Sequence, residues 1–271
     1  MTKLQSFFFS VITLVSICSA ACSQSQTTNP VETADVEQNA RQSEETLHVY
    51  LLIGQSNMAG RANITQELEA DMSGVSLLNQ NNEWLPASNP LNRYSTIRKD
   101  LSMQKLGPGY AFAQAMQSQD EKVTIGLVVN ARGGTKIQAW AKGTQYYNDA
   151  IARTKVAMKS GTLKGILWHQ GEGNSKDRNY LPKLVQLITD LRSDLGDAEL
   201  PFVAGMLIDS EKRKRLNDQL KELPNQVPYT ACVSSTGLTA ADGTHFDTQS
   251  QLEFGKRYAA AMAKLAGNAK E

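Results

Sequence analysis

The sequence is short of several features that would assign it quickly. Its three cysteines, Cys18, Cys22 and Cys232, are too few for a disulfide framework and show no CxxC spacing for zinc. Its three histidines, His48, His169 and His245, would nearly all be needed for one multi-histidine metal site. Any histidine base must also be one of these three. There is no excess of basic charge, with 28 Lys and Arg against 27 Asp and Glu. Phosphate backbones require such an excess, so nucleic acid is excluded as the main partner. No apolar run approaches the ~20 residues of a membrane-spanning helix. What remains is an ordinary globular composition over 271 residues, 41% hydrophobic and 20% charged, enough for one large or two small domains.

The first 46 residues read as address and tether. In 1–22 a short region with Lys3 precedes the apolar stretch 7–17 and then small residues, the three-part pattern of a secretory signal. Cys22 follows Ser-Ala-Ala, which resembles a bacterial lipoprotein box with Ser19 where Leu is usual. Cys22 is therefore a candidate for lipidation, which would be the chain's only membrane attachment; the alternative is ordinary cleavage near Ala20 or Ala21. The segment 23–46 is polar and almost without large apolar residues, so it cannot offset chain entropy by burial and reads as a disordered linker. The linker is acidic, and the remaining domain, 47–271, carries about four more bases than acids. This organisation predicts an exported protein: periplasmic, secreted, or an outer-membrane lipoprotein.

Within 47–271, apolar and β-branched runs at 48–54, 75–79, 123–129, 165–169 and 202–208 predict buried strands. Amphipathic stretches at 110–117, 146–159, 181–195 and 248–266 predict helices, the last opening with Thr248 and Gln251 in capping-box spacing. This alternation predicts an α/β fold with a central parallel sheet covered on both faces. Ligands then bind outside the carboxyl ends of the strands. The stretch 79–109 shows no clear period and reads as a long functional or mobile loop.

The chemistry gathers after the strands. The first strand runs into Gly54-Gln55-Ser56-Asn57-Met58-Ala59-Gly60, placing Ser56 at the ligand rim. Position 58 is Met, so the GxSxG elbow of the α/β-hydrolases is disfavoured; a polar turn capping a helix is the bland reading. Asp242 and His245 stand three apart in a glycine-containing loop. Such a loop folds the carboxylate against one imidazole nitrogen and frees the other for a nucleophile. A capped helix start with an exposed histidine is the alternative. Gly133 and Gly134 end the third long strand and can present backbone N–H groups to an oxyanion. Trp168-His169-Gln170-Gly171-Glu172 ends the fourth.

GQSNMAG, GGT, WHQGE and DGTH in this order resemble the carbohydrate acetylesterases of the sialate O-acetylesterase and acetylxylan esterase type, within the SGNH hydrolase superfamily. Gly107-Pro108-Gly109 before an apolar helix fits the same pattern, and the resemblance covers about 50–266. It implies a three-layer α/β/α sandwich (flavodoxin-like), no cofactor and no metal, and hydrolysis of acetyl esters on an acetylated carbohydrate. It matches Ser56 to the nucleophile, His245 to the base and Asp242 to the acid beside it. It also matches the Ser56 N–H and the backbone of Gly133 and Gly134 to oxyanion donors. The superfamily's usual third donor, an Asn in a GxND block, is absent; WHQGE stands in its place and makes Gln170 the candidate.

Several residues stay open on sequence alone. Glu172 is a rival partner for His245, a sugar ligand or a loop support, with Asp242 favoured as the acid because of its spacing to His245. Trp84 and Trp140 are candidates for stacking on sugar rings, whereas Trp168 reads as core. His169 reads as structural and His48 as incidental. The run 211–215 reads as a solvated helix face, with attraction of acidic sugars as its functional alternative. Cys232 reads as a buried thiol. A catalytically silent glycan-binding lipoprotein and an SGNH lipase or thioesterase are the alternative functions.

Overall fold

The computed structural model describes residues 46–268, so the signal, Cys22 and the linker up to residue 45 lie outside the described residues, while Thr46 already belongs to the first strand. Seven strands form one sheet: β1 (Thr46–Gly54), β2 (Met72–Leu78), β3 (Trp84–Ala87), β4 (Val123–Ala131), β5 (Thr162–His169), β6 (Phe202–Gly205) and β7 (Thr230–Val233). Their spatial order is β3-β2-β4-β1-β5-β6-β7. All neighbours pair in parallel except β2 with β3. The helices are α1 (Ser56–Ala59), α2 (Gly109–Gln117), α3 (Gln145–Ala157), α4 (Tyr180–Leu195), α5 (Glu211–Lys221), α6 (Leu223–Gln226) and α7 (Thr248–Asn268).

Side chains alternate across a strand, and both faces of β1 are buried, which is why its sequence is a continuous apolar run. Val49, Leu51 and Ile53 join a core with Ala150 of α3, Leu184 of α4 and Leu216 of α5. Tyr50 and Leu52 face the other core, with Phe112 of α2 and Phe254 of α7. Each fully buried side chain of this size contributes roughly 1.5–3 kcal/mol. The result is the predicted three-layer α/β/α sandwich, with α3, α4 and α5 on one face and α2 and α7 on the other.

The departures from the predicted elements have local causes. Strands β3 and β7 have four residues each, too few to show a period. β3 also carries Pro86, which an edge strand tolerates because no ladder N–H is needed there. Strand β6 stops at Gly205 rather than 208; Leu207 N donates to Asn217 Oδ1 of α5 instead of to a neighbouring strand. At the start of α7, Asp247 Oδ1 accepts from Ser250 N, while Thr248 Oγ1 donates to Asn63 O. Asp247, not Thr248, is therefore the cap. The long connection after β3 is stitched to the sheet: Asn92 Nδ2 donates to Ala131 O, and Thr96 N donates to Asn130 Oδ1.

Strand β1 sits between β4 and β5, and the chain crosses from one side of it to the other after β4. The carboxyl ends Gly54, Ala131 and His169 lie side by side. Ligand-binding crevices open at such a switch point.

Candidate active site

The turn after β1 is shaped by close approach. Gly54 has φ +136°, and a Cβ there would lie 2.2 Å from the His169 carbonyl oxygen. Gln55 N donates to that oxygen at 2.8 Å, which locks the turn to the end of β5. Ser56 then opens α1 and is 6% exposed.

The second half of the site comes from the loop before α7. Asp242 Oδ1 accepts from the backbone N–H groups of Thr244 (2.9 Å) and His245 (2.7 Å), an Asx-type turn. Oδ2 of the same carboxylate lies 2.6 Å from His245 Nδ1. A carboxylate only accepts, so Nδ1 carries the proton and Nε2 is free to accept. His245 Nε2 lies 3.0 Å from Ser56 Oγ. The expected nucleophile, base and acid thus form one line. The Asp242 carboxyl is pulled down to about 2, first by the His245 backbone N–H and then by its imidazole.

Gly133 and Gly134 follow β4 beside Ser56. A Cβ on Gly133 would lie 3.4 Å from Ser56 Cβ, and Gly134 has φ +76°. Among the described residues, the backbone N–H groups of Ser56, Gly133 and Gly134 find no internal acceptor and are free for an oxyanion.

Gln170 is not a free donor. It is 0% exposed, and its Nε2 lies within 2.9–3.1 Å of Thr135 O, Asn174 Oδ1 and Gln55 Oε1. Both amide hydrogens are committed to buried acceptors, one of which, Thr135 O, belongs to the glycine turn. Glu172 is no partner for His245 either. Its Oε1 accepts from Asn57 Nδ2 at 2.7 Å and lies 3.6 Å from His169 Nε2. Burial works to raise this carboxyl, but His169 and Asn57 hold it below its ordinary value. Through Asn57 it acts as a loop support: Asn57 Nδ2 also donates to Thr244 O, and its Oδ1 accepts from Phe246 N.

Neither tryptophan is placed to stack on a sugar. Trp140 is 0% exposed, packs edge-on against Trp168 and donates to Thr135 Oγ1. Trp84 donates to Ser160 Oγ, before the amino end of β5 and opposite the Ser56 rim. His169 is buried between Phe246 and Phe254, with Nδ1 3.3 Å from Tyr258 Oη. Cys232, on β7, is half-buried, and burial pushes its thiol up to about 12. The run 211–215 lies on α5 with one exception to the solvated reading, since Arg213 is buried beneath the 241–245 loop.

The sequence reading missed the cationic border of the site. A cleft of about 640 Å³ beside the glycine turn is lined by Arg98, Lys99, Asp100, Leu101 and Arg132, among others. Lys99 Nζ would lie 3.6 Å from a Cβ on Gly134. The Arg61 guanidinium rests over Gly133 and donates to Met103 O. Four of the lining residues, Arg98, Lys99, Asp100 and Leu101, sit in the aperiodic stretch 79–109, where no local pattern marks them. Among the described residues no group of three His, Cys, Asp or Glu side chains could hold a metal ion.

Residues 46–264 match the family described as carbohydrate esterase, sialic acid-specific acetylesterase. The chain belongs to this family. The esterase is 30% identical over 238 residues to a probable carbohydrate esterase of Arabidopsis thaliana, spanning 76% of this chain and 86% of that protein. The crystal structure of an Arabidopsis thaliana protein superposes with a TM-score of 0.73 at 28% identity, covering 80% of the esterase and 98% of that chain. The fold is shared with NanS, with a TM-score of 0.68, 14% identity, and 83% and 99% coverage. A carbohydrate acetylesterase from Xanthomonas citri also shares it, with a TM-score of 0.62, 21% identity, and 82% and 57% coverage. The protein is a carboxylic ester hydrolase of the carbohydrate esterase class.

Proposed function

We propose that this carbohydrate esterase removes O-acetyl groups from sugars by serine acyl transfer. The observation that carries the reading is the line from Ser56 through His245 to Asp242, at 3.0 and 2.6 Å. His245 Nε2 takes the Ser56 proton as Oγ attacks the acetyl carbonyl. The tetrahedral oxyanion is received by the N–H groups of Ser56, Gly133 and Gly134, which are oriented before the substrate arrives. His245 then protonates the departing sugar alcohol. In the second half a water, deprotonated by the same imidazole, attacks the acetyl-enzyme and acetate leaves. Asp242 fixes the tautomer and stabilises the imidazolium in both halves.

The cleft supports an acidic sugar. Arg98, Lys99 and Arg132 outnumber Asp100 at its border, and the family description names sialic acid, whose carboxylate suits such a border. The signal-like pattern of 1–22 supports export, and Ser-Ala-Ala-Cys at its end supports a lipid on Cys22 as the membrane attachment over release as a free periplasmic or secreted protein.

Ser56→Ala should lower kcat on p-nitrophenyl acetate and on acetylated sugars by roughly 10³-fold or more, with an unchanged melting temperature. Turnover by that variant at near wild-type rate would refute the assignment.

A further inference from the structure

The loop that carries Asp242 and His245 is exposed at its tip, and the Asp242 side chain itself is 57% accessible. Within 241–245 the bonds are local: Ala241 N to His245 O, and the Asx-type turn on Asp242 Oδ1. Gly243 at the tip has φ +72°, and nothing packs against the place of its missing Cβ. Such a tip has few apolar contacts to hold it, and its orientation decides where the imidazole points.

Among the described residues, one side chain from outside the loop reaches Gly243 at the tip. Arg213 Nη1 donates to Gly243 O at 2.8 Å, and Nη2 donates to Thr244 Oγ1 at 2.9 Å. Among the described residues no other group from outside the loop hydrogen-bonds to residues 241–243. Arg213 is 6% exposed, while its neighbours Glu211, Lys212, Lys214 and Arg215 are exposed. No carboxylate among the described residues pairs with it. A buried charge without a counter-charge is unfavourable for stability, and here both of its side-chain hydrogen bonds go to the base loop. The planar guanidinium spans two acceptors on successive residues, which an ammonium cannot do with the same geometry.

We propose that Arg213 is a positioning residue of the esterase. Its guanidinium fixes the tip of the loop at Gly243 and Thr244, so that Asp242 and His245 stay aligned on Ser56. Asn57 grips the same loop from the opposite side, at Thr244 O and Phe246 N. The two grips bracket the peptide between the acid and the base. This inference rests on the serine mechanism above, and the experiment separates the two.

The test measures steady-state hydrolysis of p-nitrophenyl acetate by the full chain carrying Arg213→Met, Asp242→Asn or both, with folding checked by thermal melts. Arg213→Met should lower kcat by about tenfold or more with KM within about twofold, because misplacement of the base costs rate rather than binding. The double variant should lose little more than the worse single variant, since both changes break the same alignment. Arg213→Lys should recover part of the loss. Should Arg213→Met fail to fold, Arg213→Lys and Thr244→Val, each combined with Asp242→Asn, are read in the same way; Thr244→Val removes one of the two acceptors and leaves the bond to Gly243 O in place. Wild-type kcat in a folded variant, or losses that multiply in the double variant, would overturn the role of Arg213. Persistent turnover by Ser56→Ala would instead overturn the mechanism it rests on.

Discussion

At Asp242 one carboxylate does two things with its two oxygens. Oδ1 ties down two backbone N–H groups of its own loop, and Oδ2 meets His245 Nδ1. Each bond favours the charged form, so the folded value of about 2 lies below the ~3.9 of an unfolded aspartate. A depressed carboxylate contributes stability that is fully present above the unfolded value and is lost as pH falls through the folded one. The melting-temperature gap between the wild type and Asp242→Asn should therefore shrink as pH falls between about pH 4 and pH 2. The gap should be small, because the carboxylate is exposed and solvent screens it. A gap that widened on acidification would contradict this account. The i,i+3 spacing of Asp242 and His245 was legible because the turn is local. The roles of Gln170 and Glu172 were not, because the groups that occupy them, Thr135 O and Asn57 Nδ2, come from distant parts of the chain.

The turn after β4 shows what an element adds to its residues. Gly133 needs no unusual φ, so its backbone would accept alanine; Gly134, at φ +76°, would not do so without strain. What excludes a side chain at Gly133 is space. Its Cβ would meet Arg61 Nη2 at 2.6 Å and Ser56 Cβ at 3.4 Å. The guanidinium end can swing aside, so Gly133→Ala should fold with a melting temperature within a few degrees of the wild type. Its kcat should nevertheless fall by roughly 10²-fold, because a methyl beside Ser56 displaces the oxyanion donors. Stopped-flow and thermal-melt measurements on one preparation would check both halves; an unfolded Gly133→Ala would contradict the first. The two glycines were visible in the sequence, but their distance from Ser56 depends on β4 pairing with β1. The charge run on α5 failed as a uniform surface for a similar reason. Helical periodicity turns Arg213 inward with Leu216 and Leu220, and only tertiary contact gives the guanidinium its acceptors.

Across the whole molecule, charge and address separate. The near-neutral total combines an acidic segment, 23–46, with a mildly basic domain whose cations border the cleft. If Cys22 carries the lipid, Cys22→Ser should shift the protein from the membrane fraction to the soluble fraction while leaving kcat on p-nitrophenyl acetate unchanged. An unaltered membrane fraction would refute the anchor. The layered architecture could be read from the chain because its determinants are local. Five of the seven strands are apolar runs, and the helices α2, α3, α4 and α7 keep a helical period, so an α/β sandwich follows from burying both. The motifs were readable for the same reason, each being a few adjacent residues. Local signals are silent on lateral order. The site required β1 between β4 and β5, and Ser56 next to a histidine 189 positions away. Packing of the two cores against the sheet brought those ends together, and it also buried Trp140 and Gln170, placed Trp84 against Ser160 and turned Arg213 toward the 241–245 loop.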